Sequence, residues 1–302
     1  MQIKFWGVRG SIPCPGVATN HYGGNTACLE LKLDSIHRHI IIDAGSGIRE
    51  LGNRMMAEYA GKPIVAEIFL THTHWDHIMG FPFFTPIYIP SSQFTIYGPV
   101  TYEEEPLKEV LSGQWTYRYF PVRHEDLSSN IKYMHLKEGT YDLGKGLLLK
   151  TKYLNHPLLC LGYRFEFDNK VFCTAYDSEP FTNVFACDPS NPAYDAEFVA
   201  QGDQAAREEN EAVEKFLHGA DLLIYDSQYT EVEYRNNRKG WGHSPIEYAI
   251  SAARRNKVKR LALFHHDPQR TDADMDEFAA RYCSNSEGME TFFAREGMQI
   301  DL

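Results

Sequence analysis

Apolar positions along this chain fall mostly in short runs bounded by turn formers, the mark of strands, with helical spacing interposed. Met1 to Val8 alternates apolar and polar residues, and Pro13, Pro15, Gly16, Gly23 and Gly24 then predict a long loop. Residues 26–34 (TACLELKLD) alternate again, and 39–43 read as a buried strand ending in Asp43-Ala44-Gly45-Ser46-Gly47. Ile48, Leu51, Met55 and Tyr59 follow at helical spacing, and Ala66 to Leu70 is another buried strand. From about 84 to 138 the pattern is less regular. It predicts a strand over 93–97 and a short helix over 103–111, with three acids in the first turn where the helix dipole favours them. The rest of that span reads as an insertion over the site.

Strand character resumes at 147–154, 161–167 and 170–175, with Asp168-Asn169 as a hairpin turn. The last third alternates helix and strand. A helix over 205–217 is stopped by Gly219, and 221–226 is a buried strand. Ser244-Pro245-Ile246-Glu247 reads as a capping box with proline at the first helical position, and 260–264 is a further strand. Thr271 opens a final amphipathic helix carrying Met275, Phe278 and Tyr282. Strands grouped in two halves, each finished by helices, predict an α/β chain: two sheets packed face to face with helices outside, one domain over 1–302.

Of the 302 residues, 43% are hydrophobic, enough for one substantial core. Net charge is −11, so the chain has no built-in attraction for a polyanion and extended nucleic acid is disfavoured as a partner. No run of about eighteen apolar residues exists to span a membrane, and the start lacks the apolar core of a signal peptide. Cys14, Cys28, Cys160, Cys173, Cys187 and Cys283 include no C-x-x-C pair and fit small core residues in a reducing compartment. A cytoplasmic location is expected; whether two chains pair is left open.

The chemistry concentrates at Thr71-His72-Thr73-His74-Trp75-Asp76-His77, directly after the strand at 66–70. In extended backbone His72 and His74 project to the same side, and Asp76 and His77 start a turn facing a second position. Imidazole with carboxylate suits zinc, manganese or iron rather than calcium or magnesium. Two such ions need more ligands than this motif holds. Three candidates each follow a strand: His156 before Pro157, Asp177 after Tyr176, and the pair His265-His266. Singly each is weak, since such residues commonly serve turns; their shared place at strand ends strengthens all three. His243 stands just before a predicted helix, whose N-terminal field should lower its pKa, and Asp226 at the end of its own strand is a suitable carboxylate partner.

With these motifs in this order, the chain resembles the metallo-β-lactamase superfamily. The Asp226 segment, Gly242-His243-Ser244 and His265 resemble its phosphodiesterase branch, which includes tRNA 3′-processing ribonucleases and cyclic-nucleotide phosphodiesterases. The resemblance implies an αββα sandwich holding two divalent ions, zinc first and manganese or iron as alternatives. It implies that His72, His74 and His156 hold one metal and Asp76, His77 and His265 the other, with Asp177 bridging and Asp43 holding the site loops. His266 stays an alternative to His265.

His74 stands where flavin-linked diiron relatives carry glutamate, which argues against redox chemistry. Only about twenty residues separate His156 from Asp177, two strands and a tight turn, which leaves no room for a tRNA-binding arm. The expectation is therefore a hydrolase that cleaves a small phosphodiester, a cyclic nucleotide or cyclic phosphate, with a dimetal-activated hydroxide. Asp76 would orient that hydroxide and accept its proton, and His243, aligned by Asp226, would protonate the leaving group. Trp75 would stack a base and Arg270 would meet a phosphate. The competing readings are a tRNA 3′-processing-type endoribonuclease, a lactone or thioester hydrolase of the same fold, and a non-catalytic metal-dependent sensing module.

Overall fold

The computed structural model describes residues 1–100, 106–286 and 288–302. Its first half supplies β1 (Gln2–Gly7), β2 (Cys28–Leu33), β3 (Arg38–Ile42), β4 (Val65–Phe69), β5 (Gln93–Pro99) and β6 (Asn130–Leu136), with α1 (Ile48–Tyr59), α2 (Trp75–Ile78) and α3 (Leu107–Ser112) between them. The second half supplies β7 (Gly139–Asp142), β8 (Leu148–Leu154), β9 (Cys160–Phe167), β10 (Lys170–Ala175), α4 (Ala196–Leu217), β11 (Leu222–Asp226), α5 (Glu231–Asn237), α6 (Ile246–Arg255) and β12 (Arg260–Phe264). It closes with α7 (Asp272–Tyr282), β13 (Ser284–Ser286), β14 (Met289–Phe293) and β15 (Gln299–Asp301).

These strands form a seven-stranded sheet, β15-β1-β2-β3-β4-β5-β6, and an eight-stranded one, β13-β14-β12-β11-β10-β9-β8-β7. Both are mixed. In the first, β3 to β6 run parallel and β1 to β3 antiparallel. In the second, β10, β11, β12 and β14 run parallel and β7 to β10 antiparallel.

The sequence of β3, RHIII, shows why two layers form. Successive side chains of a strand face opposite ways, so three isoleucines in a row must be covered on both faces. Ile40 and Ile42 enter the core between the sheets with Phe5, Phe69, Phe165 and Ile224. Ile41 points the other way and joins Ile48, Leu51 and Met55 of α1. Each such buried aliphatic is worth roughly 1.5–3 kcal/mol relative to exposure. On the far side, α4, α6 and α7 lay Val213, Leu217, Ile246, Ala249 and Met275 over Leu223, Leu261 and Leu263. The result is the expected αββα sandwich.

The structure departs from the sequence reading in four places. Helix α4 begins at Ala196, well before 205, because Asp195 caps it by accepting from Glu197 N and Phe198 N. Its first half buries only Gly202, so no apolar stripe announces it. The capping box at 244–247 does not form. Ser244 donates its hydroxyl to Ser178 O at 2.6 Å, and Glu247 accepts from Glu231 N and the Tyr282 hydroxyl instead. Within the irregular span β5 meets the strand expected at 93–97, but β6 forms where no strand was expected and extends the first sheet beyond β5. Finally, the helix expected over 103–111 is seen as α3 from Leu107 onward, and Glu103, Glu104 and Glu105 lie outside the described residues. No helix among the described residues is long and apolar enough to cross a membrane.

Candidate metal centre

Strands β3 and β4 run the same way, and so do β8, β10, β11 and β12. The residues at or just past their C-terminal ends are Asp43, the 71–77 segment, His156, Asp177, the 226–228 segment and His265. Asp43, Asp177 and His265 each leave their strand with positive φ, at 61°, 54° and 63°. A residue with a Cβ pays about 1 kcal/mol or more in that region, so these bends persist only where the surroundings over-determine them. All three side chains are buried.

The ligand-type atoms form two adjoining groups. His74 Nδ1 stands 3.0 Å from His72 Nε2 and 3.0 Å from His156 Nε2. His77 Nε2 lies 3.3 Å from Asp76 Oδ2 and 3.3 Å from Asp177 Oδ1, and His265 Nε2 lies 3.2 and 3.3 Å from the same two oxygens. The other Asp177 oxygen, Oδ2, is 3.7 Å from His72 Nε2 and 3.8 Å from His156 Nε2, so one carboxylate faces both groups.

These separations suit metal binding. Ligands at about 2.0–2.1 Å in a tetrahedron stand roughly 3.3–3.4 Å from one another. Within the buried cluster, His77 Nε2 and Asp177 Oδ1 have no hydrogen-bond partner, an expensive condition for polar atoms unless something else binds them. The donor set of imidazoles and carboxylates fits divalent zinc, manganese or iron.

The far nitrogens of His72, His77, His156 and His265 each face a partner that fixes the tautomer. His77 Nδ1 donates to Asp43 Oδ2 at 2.8 Å, and His156 Nδ1 donates to Gly242 O at 3.0 Å. His72 Nδ1 donates to Thr71 Oγ1 at 3.1 Å, while that hydroxyl donates to Asp43 Oδ2 at 2.9 Å. His265 Nδ1 faces Gln228 Oε1 at 3.3 Å. Asp43 also accepts from Thr71 N at 2.7 Å and the Tyr176 hydroxyl at 2.8 Å. Outer partners of this kind orient ligands and raise their basicity.

Electrostatics favour the unprotonated form at His72, His156, Asp76 and Asp177. At His77, by contrast, burial is outweighed by Asp177, Asp76 and Asp43, which raise it well above the ordinary histidine range. Burial drives His72 well below the ordinary histidine range and lowers His156 to about 4. Burial would raise the Asp76 carboxyl, but His77 and His265 outweigh it and hold it far below the usual carboxylate range. Asp177 is likewise held low against its burial, by His265, His77 and His72.

Beside the cluster, His243 Nδ1 donates to Asp226 Oδ2 at 2.8 Å, and its ring stacks on His265 with centroids 4.8 Å apart. Asp226 is fully buried and also accepts from the backbone of Ser178, Gln228 and Ser244. The lowered pKa expected for His243 is reversed. Burial does lower it, but the charge and hydrogen bond of Asp226, with Asp177 and Asp76 behind, raise it to about 9. The helix start that was to depress it is α6, three residues further on.

The remaining candidates separate. His266 Nε2 donates to Ala294 O at 2.8 Å, away from the cluster, so of the two histidines it is His265 whose ring joins the ligand-type group. Arg270 does not reach the centre: its guanidinium pairs with Glu233 and lies over the Phe278 ring, so the phosphate role expected for it finds no geometric support. Trp75 is 76% exposed beside the motif. Sequence reasoning missed Thr71, Tyr176 and Gln228, whose partners are distant in the chain. It also missed Arg9, fully buried, which binds Gly23 O, Asp267 O and Arg270 O and so ties down the loop after His265.

Residues 35–162 match the Metallo-beta-lactamase superfamily. A ribonuclease Z of Thermoplasma acidophilum is 24% identical over 323 residues, covering 100% of this chain and 96% of that protein. Among solved structures, the metallo-beta-lactamase fold protein YhfI of Bacillus subtilis superposes with TM-score 0.66 at 16% identity, covering 99% of this chain and 98% of its own. A diphosphatase from the PhnP family does so with TM-score 0.64 at 16% identity, covering 100% and 97%. At such identities the two structures speak for the fold.

Proposed function

We propose that this chain, which carries a metallo-β-lactamase superfamily domain, is a divalent-metal-dependent hydrolase that cleaves phosphodiesters. The observation that carries the reading is the Asp226–His243 pair, set against His265 at the edge of the metal-ligand cluster. An ester, lactone or thioester hydrolase has no need of an acid there, whereas a phosphodiester with a poor leaving group does.

His72, His74 and His156 would hold one ion, and Asp76, His77 and His265 a second, with Asp177 shared; zinc is the first choice and manganese or iron the alternatives. Such ions supply Lewis-acid stabilisation of phosphoryl oxygens and lower the pKa of water toward neutrality. Asp76 Oδ2, which also accepts from Ser11 N at 2.7 Å, orients the attacking water. The same carboxylate is placed to accept the proton of that water, the role expected of Asp76 from sequence. His243, protonated near neutrality and aligned by Asp226, delivers a proton to the departing alkoxide.

For substrate we favour a small phosphodiester, a cyclic nucleotide or cyclic phosphate. Between His156 and Asp177 the chain makes only β9, β10 and their tight turn, with no projecting arm to grip RNA, and net charge is −11. A second reading, endonucleolytic cleavage of tRNA 3′ ends, is supported by the ribonuclease Z relative, which aligns along the whole chain.

Assay of the zinc- and manganese-loaded protein on cyclic nucleotides, 2′,3′-cyclic phosphates and 3′-extended tRNA separates the two. His243→Ala tests the chemistry. Turnover of an alkyl-leaving diester should fall about 10²–10⁴-fold, and that of bis(p-nitrophenyl) phosphate, whose leaving group needs little protonation, far less. Equal losses on both would refute the assigned role, and no cleavage of any diester would leave a binding module.

A further inference from the structure

A pocket of about 580 Å³ adjoins the metal-ligand cluster, within the roughly 300–1,000 Å³ range of small-molecule sites. One wall is the ligand motif itself, since Thr73 and Trp75, which line the pocket, alternate with His72, His74 and Asp76. Ile78 and Met79 continue that wall along and beyond α2, and Gln114 and Tyr119 come from the segment after α3.

Three features define what such a space accepts. No charged side chain lines it among the described residues, so it does not receive the phosphate. Trp75 and Tyr119 are 76% and 77% exposed, large rings left uncovered beside apolar neighbours. Gln114, half-buried, lines the same space with its carboxamide. A carboxamide presents a donor beside an acceptor whichever way it is turned. An occupant that satisfies all three is flat, neutral, apolar on its faces and polar at its edge.

We propose that this pocket seats the nucleobase of a nucleoside phosphodiester, with Trp75 and Tyr119 as stacking surfaces and the Gln114 amide reading the edge of the base. The assignment rests on the phosphodiesterase reading and narrows its substrate class. A saturated alkyl group would fill the apolar wall but make no use of the Gln114 carboxamide or of the two ring faces. Stacking on an aromatic side chain tolerates every base, so the pocket selects for a base before it selects among bases.

Two substrates with one leaving group isolate the effect: thymidine 5′-p-nitrophenyl phosphate and methyl p-nitrophenyl phosphate. The metal-loaded protein should favour the first by roughly 10- to 100-fold in kcat/KM, and Trp75→Ala and Gln114→Ala should each bring that ratio toward one. A ratio near one in the native protein, or one that neither substitution moves, would overturn the pocket while leaving phosphodiester cleavage intact. Binding is read independently of turnover. Adenosine monophosphate, but not ribose 5-phosphate, should quench tryptophan fluorescence in the native protein and not in Trp75→Phe. Absence of that quench overturns the proposal even if neither ester is cleaved.

Discussion

A Cβ added at Gly10 would stand 2.3 Å from His265 Cε1 and 2.4 Å from its Nδ1, closer than such atoms approach in folded chains. Gly10 lies in the loop after β1, and its lack of a side chain sets where the His265 ring, with its ligand-type Nε2 2.9 Å from such a Cβ, can be. Gly10→Ala should therefore weaken metal binding by about 10–100-fold, the range seen when outer partners of a ligand are lost. Competition against a chromogenic chelator measures this, with circular dichroism to confirm that the sheets persist; unaltered affinity would mean the ring is not positioned from this side. Residues of this kind were illegible in the sequence, because their importance comes from a contact 255 positions away. The 72–77 motif was legible for the opposite reason: its ligands lie within one strand end and one turn, where chain geometry alone sets their spacing. His265 could not be told from His266 by sequence, since only the fold aims one ring at Asp177 and the other at Ala294 O.

Strands were the easiest elements to read, because runs such as those of β3 and β11 must be buried on both faces and have few alternatives. Helices were harder where their exposed faces are polar, as at the start of α4, or where a cap side chain is drawn off by tertiary partners, as Ser244 is. Strand β2 carries a test of its own. Its Glu30 is buried, accepts from Trp6 Nε1 at 2.8 Å and stands 2.8 Å from His39 Nε2 on β3. Burial raises the Glu30 carboxyl, but His39, Trp6 and Lys32 together lower it to about 2 from 4.5. A carboxyl whose pKa is depressed on folding stabilises the protein above its unfolded value and loses that contribution as pH falls through the folded one. Native stability should thus decline as pH falls from about 4.5 to 2 more steeply than that of Glu30→Gln, which is weaker at pH 7 but flatter. Denaturant titrations at a series of pH values check this, and parallel curves for the two proteins would contradict it.

At the scale of the whole molecule, the two sheets share one core, and we read them as a single domain whose strand ends from both halves build one rim. That architecture was accessible from sequence because two groups of strands, each finished by helices, have few ways to bury their faces. What lies over the rim was not, since the segment between β4 and β7 mixes sheet, short turns and helix without a clean period. The proposed ligands come from four separate strand ends, so on this reading bound metal adds to the stability of the fold, because a ligand bound only by the native state favours it by mass action. The most direct test of this account is the number of metal equivalents held after reconstitution with zinc or manganese and removal of excess ion, counted by elemental analysis. Two ions per chain, with Asp177→Ala retaining fewer, is the result predicted for adjacent seats sharing one carboxylate; one equivalent or none in the native protein would contradict it.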